Sequence, residues 1–135
     1  MNILRFRRHL IQTLFIIHCA LFIQSCSAPD KLGNLDLVKW RNDRGGCKGD
    51  RLTQVANLKA VREQLKGEMA NNINSILGRP DINQLDDRNQ KYYVYFLEKG
   101  PHCEDRKLKS EAQSVALRIS AIGLVTEVTF QRGEP

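Results

Sequence analysis

The sequence has little of what catalysis ordinarily needs. Histidine occurs three times, and His9 and His18 both fall within the first twenty residues, leaving His102 alone in the rest of the chain. No CxxC or HxxxH spacing arranges the cysteines and histidines in a metal-binding pattern. The glycines at 45, 46 and 49 have no GK[ST] after them and no strand before them, so they read as a turn rather than a phosphate loop. His102 adjoins Cys103, but neighbouring side chains on an extended segment point to opposite sides, and a bridged Cys103 is no nucleophile. The carboxylate pairs Asp86-Asp87 and Glu104-Asp105 lie in hydrophilic stretches and read as solvated turn residues. The expectation is a protein with no catalytic residues, no metal and no cofactor. Internal repeats and low-complexity segments are absent too, as is an apolar run long enough to span a bilayer.

What is present begins at the N-terminus. Arg5, Arg7 and Arg8 precede the apolar stretch Leu10–Ile23, which only Gln12, Thr13, His18 and Cys19 interrupt. A cationic start and a short apolar run are the build of a secretory signal. The run closes on Ile23-Gln24-Ser25-Cys26, which resembles a lipobox: aliphatic, small, then a cysteine whose thiol is acylated. The expectation is a signal peptide over 1–25 and lipidation, palmitate included, at Cys26; the alternatives are an ordinary signal peptide cut nearby, with Cys26 left as a free thiol, and an uncleaved anchor. Ser27-Ala28-Pro29-Asp30 would follow as a tether, leaving the chain lipid-anchored in the cell envelope. Several acyl chains make such an anchor stable where one does not.

Removing residues 1–25 from the 135 leaves 110, a single domain of ordinary size. Three of the 21 basic residues leave with the signal, so 18 stand against 15 acidic ones, net +3. That mild, mixed charge does not argue for nucleic acid; it weakly favours anionic lipid or an acidic partner. Of the four cysteines, Cys19 departs with the signal and Cys26 is lipidated, which leaves Cys47 and Cys103. An oxidising compartment favours a disulfide between them, worth about 4 kcal/mol in the chain-entropy model. Two unpaired thiols are the alternative.

Along the remaining chain, residues 30–50 read as an irregular lead-in whose Trp40 docks on the core, so 26–49 precedes a folded unit at 50–132. Leu52, Val55, Leu58, Val61 and Leu65 recur at three- and four-residue intervals, predicting a helix over about 50–66 with Asp50 as N-cap and Gly67 as stop. A second helix over about 70–77 faces Ile73, Ile76 and Leu77 inward and ends at Gly78 and Pro80. Residues 81–90 are polar and read as a loop. Strands are predicted at 92–97, 115–119 and 125–130, the last with a slip in its alternation that suggests a bulge. A hydrophilic connection joins the first two, and Gly123 turns the last hairpin. Two helices followed by three antiparallel strands make an α+β two-layer sandwich, ααβββ. Tyr92, Tyr93 and Tyr95 form an aromatic cluster that offers a partner surface, the alternative being half core and half exposed sheet face.

Leu77-Gly78-Arg79-Pro80 after the second helix, the strand Tyr92-Tyr93-Val94-Tyr95 and the hairpin through Gly123 together resemble the BamE/SmpA/OmlA-like lipoprotein family, over about residues 58–130. The Lys66-Gly67-Glu68-Met69 start, the Cys47/Cys103 pair and the insertion at 98–113 depart from that pattern. The resemblance implies an accessory lipoprotein of outer-membrane protein assembly, non-catalytic, facing the periplasm and contacting other envelope proteins. A periplasmic inhibitor or binding module of β-lactamase-inhibitor-like fold, which shares the order of elements, is the alternative.

Overall fold

The computed structural model describes residues 27–86 and 90–135. The expected signal segment and Cys26, on which the expectation of an anchor rests, lie outside the described residues. The lead-in proves to be regular rather than irregular. Strands β1 (Lys31–Leu32) and β2 (Leu35–Asp36) form a short antiparallel ladder. Helix α1 (Leu37–Asn42) follows, capped by Asp36, whose carboxylate accepts the Lys39 N–H at 3.0 Å. Leu35, Leu37 and Trp40 are fully buried, and the Trp40 indole N–H donates to the Leu77 carbonyl at 3.1 Å. Trp40 therefore docks onto the core as its sequence context suggests.

After a 3-10 turn at Arg44–Gly46, the helix expected over 50–66 divides into α2 (Asp50–Thr53) and α3 (Val55–Leu65), with Gln54 between them outside helical geometry. The break has a clear effect on facing: Leu52 turns outward at 44% exposure while Arg51 turns inward at 1%. Asp50 does not cap α2. Asp43 serves that end instead, its two carboxylate oxygens accepting the Lys48 N–H at 2.7 Å and the Arg51 N–H at 2.8 Å. Further on, Leu58, Val61 and Leu65 line the inner face of α3 as their spacing requires. Helix α4 (Ala70–Ile76) buries Ile73, and Gly78 takes a φ of +81° to lead the chain out toward Pro80.

The three-stranded ααβββ arrangement is overturned, though the class remains α+β. Among the described residues, four α-helices precede a four-stranded antiparallel sheet, and the β1–β2 ladder is a second sheet. The large sheet runs in the order β3 (Ile82–Asp86), β4 (Gln90–Phe96), β5 (Gln113–Ile119), β6 (Val125–Arg132). Strand β3 occupies the segment read as a loop. It is an edge strand held by its ladder to β4, from Ile82 opposite Val94 to Asp86 opposite Gln90. Its Leu85 is 75% exposed, so its sequence carries no apolar alternation to betray it. Between β5 and β6 the register shifts at Arg118/Ile119: Arg118 pairs with Glu127 and Ile119 with Val125, leaving Thr126 as the extra residue. The slip in alternation near Val125 is thus a bulge.

Tyr93, Tyr95 and Leu97 point with Val115, Leu117, Ile119, Val125 and Val128 into the core beneath α1, α3 and α4. The reverse face carries Val94, Phe96 and Ala116, all buried. The 97–112 connection closes over one end of that face, where the Phe96 and His102 rings stack with centroids 3.9 Å apart. Among the described residues no helix is long and apolar enough to cross a membrane.

Candidate functional site

Two features meet at the sheet end where β4 finishes. The first is a buried polar hub. Asp81, at the start of β3, accepts the Gly45 N–H at 3.0 Å through one carboxylate oxygen. Its other oxygen accepts the Phe96 N–H at 2.9 Å and Arg51 Nη1 at 2.6 Å. Arg51 also donates to the carbonyls of Trp40 at 3.2 Å and Phe96 at 3.0 Å. Its guanidinium carbon lies 4.8 Å from the Trp40 ring centre and 5.6 Å from that of Tyr95. Every strong group of the hub is partnered, which makes it a clasp between the lead-in and the sheet. Tyr95 completes it, its hydroxyl donating to Gly78 O at 2.8 Å; burial pushes the pKa of that hydroxyl well up.

The second feature is a pair of adjoining clefts outside the hub. The larger, about 440 Å³, is lined by Arg44, Arg79 and Arg106 together with Asn74, Asn83 and Tyr93. The smaller, about 320 Å³, shares Arg44 and Arg106 with it and is floored by Phe96, His102, Cys47 and Cys103. Three separate segments supply the arginines: the 3-10 turn, the Gly78–Pro80 exit and the 97–112 connection. All three side chains are exposed, and among the described residues none makes an ion pair. The one carboxylate the clefts share, Asp81, is already satisfied by Arg51 and two backbone N–H groups. Glu104 and Glu134 border the smaller cleft, so the uncompensated positive charge belongs to the larger one, where Arg44, Arg79 and Arg106 present guanidiniums, the geometry that takes carboxylates in bidentate pairs.

Cys47 and Cys103 are joined as a disulfide with their Cα atoms 5.8 Å apart. The bridge ties the 3-10 turn at 44–46 to a second one, Pro101–Cys103, and so holds Arg44 and the connection bearing Arg106 side by side. The expectation that His102 and Cys103 point apart fails for the same reason: the tight turn brings His102 Nε2 to 3.6 Å from Cys103 Sγ. That nitrogen also lies 2.7 Å from Gly45 O, and the imidazole is buried. The aromatic cluster does not survive as a surface. Tyr93 and Tyr95 are in the core at 5% and 0% exposure, and only Tyr92, half-buried on the reverse face, keeps an outward edge.

The arginine rim had no sequence signal. Arg44, Arg79 and Arg106 are 35 and 27 positions apart and look like ordinary surface charges until the sheet gathers them. Cys47 and Cys103 were legible by elimination, once Cys19 and Cys26 are assigned to the expected signal and lipid anchor. Comparison with protein-family models, with curated proteins and with solved structures finds no match to this chain.

Proposed function

We propose that this protein is an exported, lipid-anchored envelope protein whose domain is a non-catalytic interaction module, receiving an acidic segment of another envelope protein at the rim of Arg44, Arg79 and Arg106. The observation that carries this reading is the convergence on one cleft of about 440 Å³ of three guanidiniums, from three segments, that make no ion pair among the described residues. Such a cleft accommodates a few side chains rather than a large ligand, and a bidentate guanidinium–carboxylate contact gives orientation as well as charge. Attachment to the membrane rests on the Arg-rich start, the apolar run and Ile23-Gln24-Ser25-Cys26. An accessory role in outer-membrane protein assembly rests on the resemblance through Leu77–Pro80 and the Gly123 hairpin, and the fourth strand departs from that family's pattern.

The test is quantitative capture from detergent-solubilised envelopes with the tagged protein and with Arg44→Glu/Arg79→Glu/Arg106→Glu. The proposal expects envelope proteins that are retained by the first, lost with the triple reversal, and released as salt is raised. Identical capture by both proteins, or no specific capture by either, would overturn it.

A further inference from the structure

The corner where the two 3-10 turns meet holds more than a bridge. Cys47 Sγ, Cys103 Sγ and a ring nitrogen of His102 lie within 4.8 Å of one another. We propose that opening the bridge converts this corner into a thiolate–imidazole site for a zinc-class cation, with Cys47, His102 and Cys103 as the protein ligands.

The geometry supports this at one edge already. In a tetrahedral site with a metal–sulfur bond of about 2.3 Å and a metal–nitrogen bond of about 2.0–2.1 Å, the sulfur-to-nitrogen edge is about 3.6 Å. Cys103 Sγ and His102 Nε2 stand 3.6 Å apart. The sulfur-to-sulfur edge of the same tetrahedron is about 3.8 Å, so the two sulfurs must separate on opening. Gly45 O, 2.7 Å from Nε2 and 3.6 and 4.0 Å from the two sulfurs, must swing out of the same space as the metal takes its place on Nε2. The imidazole is poised for a change of tautomer. With the bridge closed, Nε2 donates to Gly45 O at 2.7 Å, while Nδ1 is buried with no hydrogen-bond partner. A metal on Nε2 moves the ring proton to Nδ1, which faces the space by Gly100 that Ser110 Oγ also borders. A buried orphan acceptor then becomes a donor beside a hydroxyl, the kind of hydrogen bond that fixes the ring of a ligating histidine. The smaller cleft leads to both sulfurs and is bordered by Glu104 and Glu134, so a carboxylate or water can take the fourth position.

The chemistry balances with a dithiol as reductant. The Cys47–Cys103 bond breaks, the two sulfurs gain two electrons and two protons, and the dithiol closes to its own disulfide. On metal entry both thiol protons pass to solvent as two metal–sulfur bonds form, and Nε2 contributes its lone pair. The bridge and the metal are thus alternative staples for the same two turns.

The full-length protein in detergent, reduced with a dithiol and freed of it under anaerobic conditions, is titrated with cobalt(II) alone and then with zinc(II). The expected result is one cobalt per chain, with thiolate-to-cobalt charge transfer in the near ultraviolet and the intense visible bands of a tetrahedral site. Zinc should bleach both, and the oxidised protein should show neither. Cys47→Ser/Cys103→Ser should abolish the charge transfer, which also excludes Cys19 and Cys26 as its source. His102→Ala should retain the charge transfer but weaken binding at least about tenfold, since even outer-shell losses reach that size. Absence of charge transfer in the reduced protein, or unchanged affinity in His102→Ala, would overturn the proposal. Should reduction unfold the domain, zinc must restore its far-ultraviolet circular dichroism, and failure to do so overturns the proposal equally.

Discussion

Arg51→Met tests whether the buried clasp, rather than the helices alone, holds the lead-in to the sheet. Methionine keeps an unbranched apolar chain and removes the charge, its donors and the guanidinium that lies against the Trp40 and Tyr95 rings. Arg51 and Asp81 side chains are 1% and 8% exposed, so their contact is not a surface pair of small value. Removing one partner of such a pair costs about 3–5 kcal/mol, because the remaining charge stays buried without its counterpart. Asp81 keeps the Gly45 and Phe96 N–H groups, which places the loss toward the lower end of that range. The carbonyls of Trp40 and Phe96 each lose a donor, about 1 kcal/mol apiece, which pushes it back up. A net loss of about 4 kcal/mol is expected. With a urea slope of about 1–3 kcal/mol/M, that moves the unfolding midpoint down by about 1.3–4 M. Trp40 is the sole tryptophan and is fully buried against this cluster, so its fluorescence reports the transition directly. The measurement is made on oxidised protein throughout, so that the bridge contributes equally to each variant. Asp81→Asn and the double variant complete a cycle, in which the double should cost clearly less than the two singles added. A loss under about 1 kcal/mol for Arg51→Met, or strict additivity in the cycle, would refute the reasoning.

Gly46→Ala should destabilise more than Gly49→Ala by at least about 1–3 kcal/mol in the same assay. Both glycines have positive φ, but a Cβ on Gly46 would lie 2.7 Å from the Leu97 and Glu98 backbone, while one on Gly49 meets nothing. Equal costs would show that the 3-10 turn can move off β4. Tyr95→Phe should flatten the alkaline limb of stability. The Tyr95 hydroxyl has its pKa raised in the folded protein, so its contribution is whole below the unfolded value near pH 10 and is lost as pH rises above it. The slope removed is at most about 1.4 kcal/mol per pH unit, read from urea midpoints between pH 9 and 11; an unchanged slope would count against the assignment. Cys26→Ser should leave the chain unprocessed and unlipidated, and mature-sized protein still fractionating with membranes would refute the anchor.

The elements that sequence made legible are those whose faces are set by burial. Leu58, Val61 and Leu65 declare α3 because each is nearly or wholly buried, and Val115, Leu117 and Ile119 declare β5 by alternation. Strand β3 was illegible because it is stabilised by backbone pairing on an edge, with Asn83, Gln84 and an exposed Leu85 giving no pattern. The break at Gln54 was hidden for a different reason. Leu52 continues the apolar spacing while Arg51, the residue that is buried, looks like a solvent-facing charge until Asp81 arrives from thirty positions away. At the candidate site the same division holds. Elimination isolates Cys47 and Cys103, but the gathering of Arg44, Arg79 and Arg106 is a product of topology, and so is the turn that brings His102 against the sulfur beside it.

The bridge also decides how this chain responds to being pulled. Cys47 and Cys103 close a covalent ring that contains α2, α3, α4, β3 and β4. Tension applied between residue 27 and residue 135 runs through β1, β2 and α1 to Cys47, crosses the sulfurs, and continues from Cys103 into β5 and β6. Residues 48–102 lie in parallel with that path and receive none of the force through the main chain. A pull on residue 27 is therefore passed to the last two strands through two sulfur atoms, and the helices inside the ring are extended only after the bridge is cut.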